Sequence, residues 1–358
     1  MKDYLKPMAV SVALFMASTC PVQAKNEQLR ETSPSFFTTE EAARIGDNLL
    51  LFQRVTGGWP KNVDMCGHLT AEKAEKVISE KSRDYDSTTD NGATVSQLRY
   101  LARLYKATGK TKYRDSFRSG IEYLLSGQYA GGGWPQFWPG MRGYQIHITY
   151  NDNAMYNTLD LFRRILKGES PYESGLLDAD MLDALRKSFD KGIECILATQ
   201  IVVDGKPTVW CQQHDRETLR PAPARAYELP SYCSAESAEL VRLLMTLPNP
   251  DQRIRVAVEG AMDWFERNKL TGIRVVRSGK KGAPEADTRV VEEAGASPLW
   301  ARFYDLDECR PFFCDRDGKP KRNLSEIGHE RRNGYGWYND RPASLYPLYE
   351  KWKARHGF

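Results

Sequence analysis

Apolar residues recur along this chain at helical spacing, in segments separated by breaks rich in glycine and proline. Leu182, Leu185, Phe189, Ile193 and Ile196 follow one another at intervals of three or four, which predicts a helix over 181–199 with one apolar face. Val95, Leu98, Leu101, Leu104 and Tyr105 do the same for a helix over 93–107. Further helices are predicted over 40–55, 113–126, 154–166, 235–245 and 343–353. Beyond Asn268 the period is lost: 272–277 and 288–292 read as short β runs, and 298–317 is aromatic and charged without a helical repeat.

The breaks themselves repeat. Gly57-Gly58-Trp59-Pro60 returns as Gly132-Gly133-Trp134-Pro135, with a weaker echo at Thr208-Val209-Trp210-Cys211, so the tryptophans are spaced by 75 and 76 residues. A fixed period of this size marks a repeated supersecondary unit, read here as helix, GGWP-like loop, helix. Helices that alternate in direction pack as hairpins. Three hairpins can close into an (α/α)3 toroid, an incomplete α/α barrel, over about 39–270, with an irregular, partly β C-terminal cap and a last helix over about 271–358 in the same domain. Every second helix then points the same way, so the helix starts near Asp90, Asp152 and Ser234 should share one rim.

Composition narrows the class. With 358 residues, 41% of them hydrophobic and 11% aromatic, the chain can bury a sizeable core. A net charge of +4 without long basic runs disfavours a nucleic-acid partner. Residues 1–24 read as an export signal: Lys2 and Lys6, an apolar stretch over 8–17, and Val22-Gln23-Ala24 as the cleavage site. That stretch is too short to span a bilayer, so a periplasmic or secreted protein is expected. Lipoprotein processing at Cys20 is the rival reading, and Ala17-Ser18-Thr19 is a poor context for it. The other six cysteines are too sparse to frame the fold, and Cys309 with Cys314 is the expected local pair.

Asp90 sits in Thr89-Asp90-Asn91 and Asp152 in Asn151-Asp152-Asn153, each ahead of a helix. An aspartate there is commonly an N-cap. Two oxygen-rich clusters at equivalent points of a repeat, on one rim, also suit Ca²⁺, with substrate and water completing the shell. Arg225, stiffened by Pro221, Pro223 and Pro230, is either a site residue or a partner of Glu228. Trp59, Trp134, Trp138 and Trp210 read first as core, with at least one a candidate to line a sugar groove.

Taken together, these segments resemble the polysaccharide lyase family 10 pectate lyases. The likeness runs through GGWPKN (57–62), STTDNGAT (87–94), GGGWPQFWP (131–139), ITYNDNAM (148–155), VWCQQHD (209–215), PAPARAYE (221–228) and WARFYDLDECRPFFCDRDG (300–318), and spans about 39–352. The resemblance implies a Ca²⁺-dependent lyase that cleaves α-1,4-linked polygalacturonate (pectate) by β-elimination and leaves 4,5-unsaturated oligogalacturonates. It makes Arg225 the base, Asp90 and Asp152 the calcium-binding acids, and Arg302 and Arg316 the substrate arginines. Trp59, Lys61, Asn91 and Asn151 are further candidate substrate contacts, and a monomer is expected. A guanidinium is a poor base unless burial and a nearby cation push it toward neutrality. His147 or His214 is the fallback. The competing functions are an inverting glycoside hydrolase using Asp90 and Asp152, and a non-catalytic carbohydrate-binding toroid.

Overall fold

A tight turn joins one pair of helices: Gly109 takes φ +65°, a left-handed value open to glycine, and ends one helix so that the next begins two residues later at Thr111. The computed structural model describes residues 26–173, 175–280 and 283–357, and the expected export signal lies outside the described residues. The helices are α1 (Glu40–Phe52), α2 (Ala71–Ser79), α3 (Val95–Thr108), α4 (Thr111–Ser126), α5 (Ala154–Leu166), α6 (Ala179–Thr199), α7 (Ser234–Leu244), α8 (Gln252–Arg267), α9 (His329–Gly334) and α10 (Tyr346–His356). Helices α3/α4, α5/α6 and α7/α8 pack as antiparallel hairpins; α3, α5 and α7 follow one another around an inner layer, and α1, α4, α6 and α8 lie outside them. This is an (α/α)3 toroid.

The hairpins are cut differently from the expected unit. Each pairs an inner helix with the outer helix that follows it, whereas the GGWP loop carries the chain from one hairpin to the next. Helices α2, α8 and α9 were also absent from the periodicity reading. Of these, α8 is strongly one-sided, burying Ile254, Val258, Ala261 and Phe265.

A repeated set of hydrogen bonds locks the loops. The indole N–H groups of Trp59, Trp134 and Trp210 donate to the carbonyls of Leu49, Leu124 and Ile196 on the preceding helix, at 2.7–2.8 Å. Just after each outer helix Gln53, Gln128 or Gln200 donates both to a carbonyl of its own loop and to one of the next outer helix, at Ser116, Ser188 or Ala257. Gly57 and Gly132, both at φ +91°, let the loop pass so close that a Cβ would stand 2.2 Å from the Ser119 carbonyl oxygen and 2.0 Å from that of Lys191.

A fourth copy is hidden in the expected cap. The Trp300 indole donates to the Phe265 carbonyl at 2.9 Å, and Trp300 and Trp352 belong to the main core. Strand Trp300–Ala301 pairs with Tyr338–Asn339 as Pro60 pairs with Ser87. The copy is interrupted by short strands and α9, and Phe303, Phe313, Tyr335 and Trp337 of this stretch form a smaller core. The β runs expected at 272–277 and 288–292 form one antiparallel hairpin, Ile273–Ser278 with Asp287–Glu292.

The six cysteines of the described residues are unbridged. The expected Cys309–Cys314 pair is not formed: Cys309 Sγ lies 3.4 Å from Asn268 Oδ1, and Cys314 Sγ lies 3.3 Å from the Asp315 carbonyl. They point to different neighbours.

Candidate active site

Neither Asp90 nor Asp152 caps a helix. Each lies in a single 3₁₀ turn, Asp90–Gly92 or Asn151–Asn153, with no side-chain cap bond. The middle residue of each turn is left-handed, Asn91 at φ 53° and Asp152 at φ 51°. Matched turn for turn, Asp90 therefore corresponds to Asn151 and Asn91 to Asp152, so the two aspartates are one place out of register. The expectation of equivalent positions is corrected by that one residue. The two turns pack against each other, and the carboxylates come within hydrogen-bonding range.

Asp90 is buried and accepts from Gln136 Nε2 at 2.8 Å and from its neighbour's backbone N–H, and it pairs with the Lys61 ammonium. Burial, then the Asp90 charge, push the Asp152 carboxyl up to about 7, against the pull of Arg302. Arg302 is the hub beside them: its guanidinium donates to Asn151 Oδ1 at 2.8 Å and Glu236 Oε1 at 2.5 Å and stacks 4.8 Å from the Tyr335 ring centroid. Burial opposes both charges, yet Glu236 holds Arg302 far above its usual pKa, and Arg302 with Arg341 holds the Glu236 carboxyl below its own.

Arg225 stands across the same cavity of about 760 Å³, which Lys61, Asp90, Asn91, Asn151, Asp152 and Arg302 also line. It is bound bidentately by the buried Glu228 carboxylate, with Nε to Oε2 at 2.6 Å, and lies over the rings of Tyr227 and Tyr335. Burial alone would lower its pKa, but Glu228 outweighs burial and the guanidinium is held more firmly protonated than usual. The expected drift toward neutrality is thus reversed. The Tyr335 hydroxyl donates to Glu228 at 2.7 Å and fixes the pair.

Other expectations fail on placement. Trp59, Trp134, Trp138 and Trp210 are all buried in the main core, so Trp59 offers no ring face to a sugar. Arg316 does not line the cavity; it is exposed beside Tyr227 and paired bidentately with Glu330 at 3.1 Å. His214 is fully buried, accepting from Cys211 N–H at 3.0 Å and facing the Leu219 carbonyl at 2.9 Å, and burial pushes it down to about 4. His147 faces Asp215 at 3.8 Å, away from the cavity lining. Neither histidine can be the fallback base. The hydrolase reading needs two carboxyls roughly 6.5–9.5 Å apart with water between them; carboxylates in mutual hydrogen-bonding range do not provide that.

Sequence reasoning missed Gln136, Glu236 and Tyr335, and gave Glu228 only a structural part. A signal for some existed. The residue two places after each repeat tryptophan is Lys61, Gln136, Gln212 or Arg302, and three of these four reach Asp90 or Glu236.

A family model for pectic acid lyase matches residues 53–346. This chain belongs to that family. Two solved structures share the lyase's fold. One is a family 10 polysaccharide lyase from Cellvibrio cellulosa, 33% identical, with a TM-score of 0.78 over 92% of this chain and 96% of that one. The other is an aspartate-to-alanine mutant of a family 10 lyase from the same organism in complex with trigalacturonic acid, 32% identical, also at 0.78, over 92% and 97%. No curated protein matches the chain. The lyase has no helix among its described residues long and apolar enough to cross a membrane.

The donor set suits calcium in part. Asp90 and Asp152 offer adjacent carboxylates with amide oxygens in the same turns, an all-oxygen array of the kind a hard cation takes. The Asp152 carboxyl is raised first by burial and then by the Asp90 charge, a repulsion that a divalent cation would relieve. No group of three or more His, Cys, Asp or Glu side chains that could hold a metal occurs among the described residues. The lyase would therefore supply only part of the shell.

Proposed function

We propose that this pectic acid lyase cleaves α-1,4-linked polygalacturonate by calcium-dependent β-elimination, working as a periplasmic or secreted monomer after loss of residues 1–24. The observation that carries the reading is two facing carboxylates, Asp90 and Asp152, set in one cavity with Arg225, Arg302 and Lys61. Such a site binds a cation and a polyanion together. Held by Asp90 and Asp152, calcium would act as a Lewis acid on the uronate carboxylate, whose neutralisation makes the adjoining C5 proton acidic.

The chain's own groups supply the rest. Arg302, fixed by Glu236 and Asn151, adds positive charge where the carboxylate gains electron density. Lys61, Asn91 and Asn151 line the same wall and orient the sugar. Arg225 takes the C5 proton, the C4–O bond breaks, and the departing oxygen is protonated by water. Its pairing with Glu228 has to loosen and one guanidinium proton has to pass to water first, because at rest the group is bound and protonated and has no lone pair to receive the C5 proton. That pairing favours a second reading of this residue, in which Arg225 stays a guanidinium and clamps the developing charge.

Two measurements decide. Ultraviolet-absorbing unsaturated product that disappears with EDTA and returns with calcium supports the elimination; cleavage that persists in EDTA and yields only saturated reducing ends overturns it. Arg225→Lys should cut kcat by ~10²–10⁴-fold with little loss of stability if Arg225 is the base. A near wild-type rate makes it the clamp.

A further inference from the structure

A second cavity, of about 460 Å³, opens from the first. Asn91, Asp152 and Arg341 line both, so the two are continuous along the rim. Its walls come from the inner helices, Ser96, Arg99 and Arg103 on α3 and Asn157 and Arg164 on α5, with Arg30 closing the edge. Five guanidinium groups face a lining whose one carboxylate is Asp152.

Two of the five are neutralised from outside the lining, Arg99 by Asp160 at 3.1 Å and Arg164 by Glu169 at 2.9 Å. Arg30, Arg103 and Arg341 have no carboxylate within ion-pair distance among the described residues. Arg103 donates to the Arg99 carbonyl at 3.3 Å, and Arg341 to Asn153 Oδ1 at 3.3 Å. Burial first, and then the like charges of Arg164 and Arg99, hold Arg103 below its usual pKa, which is what an unbalanced cluster does. Arg99 Nε is buried without a partner. A fold gains nothing from crowding arginines around an open cavity without counter-charges, whereas an anion with regularly spaced carboxylates would complete it.

We propose that this arginine-lined cavity is an extension of the substrate cleft that binds carboxylates of the same polyuronate chain beyond the residues undergoing cleavage, and so makes the lyase prefer long chains. This rests on the polygalacturonate reading above. Arg103 and Arg30 hold the distal carboxylates, and Arg341, shared by both cavities, joins the two stretches.

The test compares kcat/KM on trigalacturonate and on long polygalacturonate for the wild type, Arg103→Gln and Arg30→Gln. The quantity read is the ratio of long to short within each protein, which cancels losses of folded enzyme. Each substitution should lower that ratio, roughly ten-fold for loss of one charge-assisted contact worth ~1.4 kcal/mol, through KM on the long chain, and raising salt should lower it in the wild type. An unchanged ratio in both variants overturns the inference while leaving the lyase reading intact. A wild type that cleaves neither substrate with calcium present overturns both.

Discussion

Three outer helices of the ring and two inner ones begin in opposite ways. Outer helices α1, α6 and α8 start from Thr39, Asp178 and Asp251, whose side-chain oxygens accept the backbone N–H three residues on, at 2.9–3.2 Å. Inner helices α3 and α5 follow turns whose aspartates cap nothing and whose backbone passes through left-handed values at Asn91, Thr94, Asp152 and Asn153. Non-glycine residues at such values cost free energy. The same residue type thus stabilises one end of the ring and is held ready at the other. What keeps the inner starts in place is a neighbour, above all Arg302 reaching Asn151 and Glu236.

That contrast is broken hardest at Arg302. Arg302→Met leaves the buried Glu236 charge unpaired, and denaturant melts should show a loss of about 3–5 kcal/mol together with loss of activity. Adding Glu236→Leu should recover most of the stability and none of the activity. If stability does not return, Arg302 acts through packing on Tyr335 instead.

Next comes Asp152→Asn, measured in calcium-free protein. Burial and then the Asp90 charge push the Asp152 carboxyl up to about 7 from an ordinary value of 3.8, so the folded state binds the additional proton. Stability must then fall as pH rises through that window, and the deficit is complete above pH ~7. The amide carries no charge, so the variant should be more stable than wild type above pH ~7 by up to ~4 kcal/mol, and equal to it below pH ~4, while cleavage is lost. A variant less stable at high pH would show that Asp152 supports the turn.

The smallest effect belongs to the outer ends. Asp178→Ala or Asp251→Ala should cost ~1 kcal/mol each and leave kcat/KM unchanged. A change in activity there would mean that the two rims are coupled.

How much of this the sequence carries depends on the kind of constraint. The periodicity at 93–107, 154–166 and 181–199 is a local property, and those helices lie where it points, within two residues at either end. Which helices pair is decided by turn length, and the turn at Gly109 is less conspicuous than the GGWP loops. The fourth unit went unrecognised because Trp300 lacks the Gly-Gly ahead of it and because the hairpin at 273–292 and the strands and α9 before Tyr338 swell its period. At the site, the repeat pointed to Asp90 and Asp152 on one rim, and they line one cavity, whereas Arg302 came only with the family resemblance. Glu228 was not legible as the group that holds Arg225 protonated, because i,i+3 spacing does not say which carboxylate is buried. Cys309 and Cys314 were close in sequence, but closeness does not set side-chain direction.

The transposed dipeptides, Asp90-Asn91 against Asn151-Asp152, limit what can be done to this molecule. Repeat proteins are often stabilised by writing one averaged sequence into every copy. Here an averaged turn would carry either two aspartates at the buried first place or two at the left-handed second place, and the carboxylates would no longer confront each other. The ring could gain in symmetry and in melting temperature and lose its reaction. In this architecture the chemistry resides in the mismatch between copies.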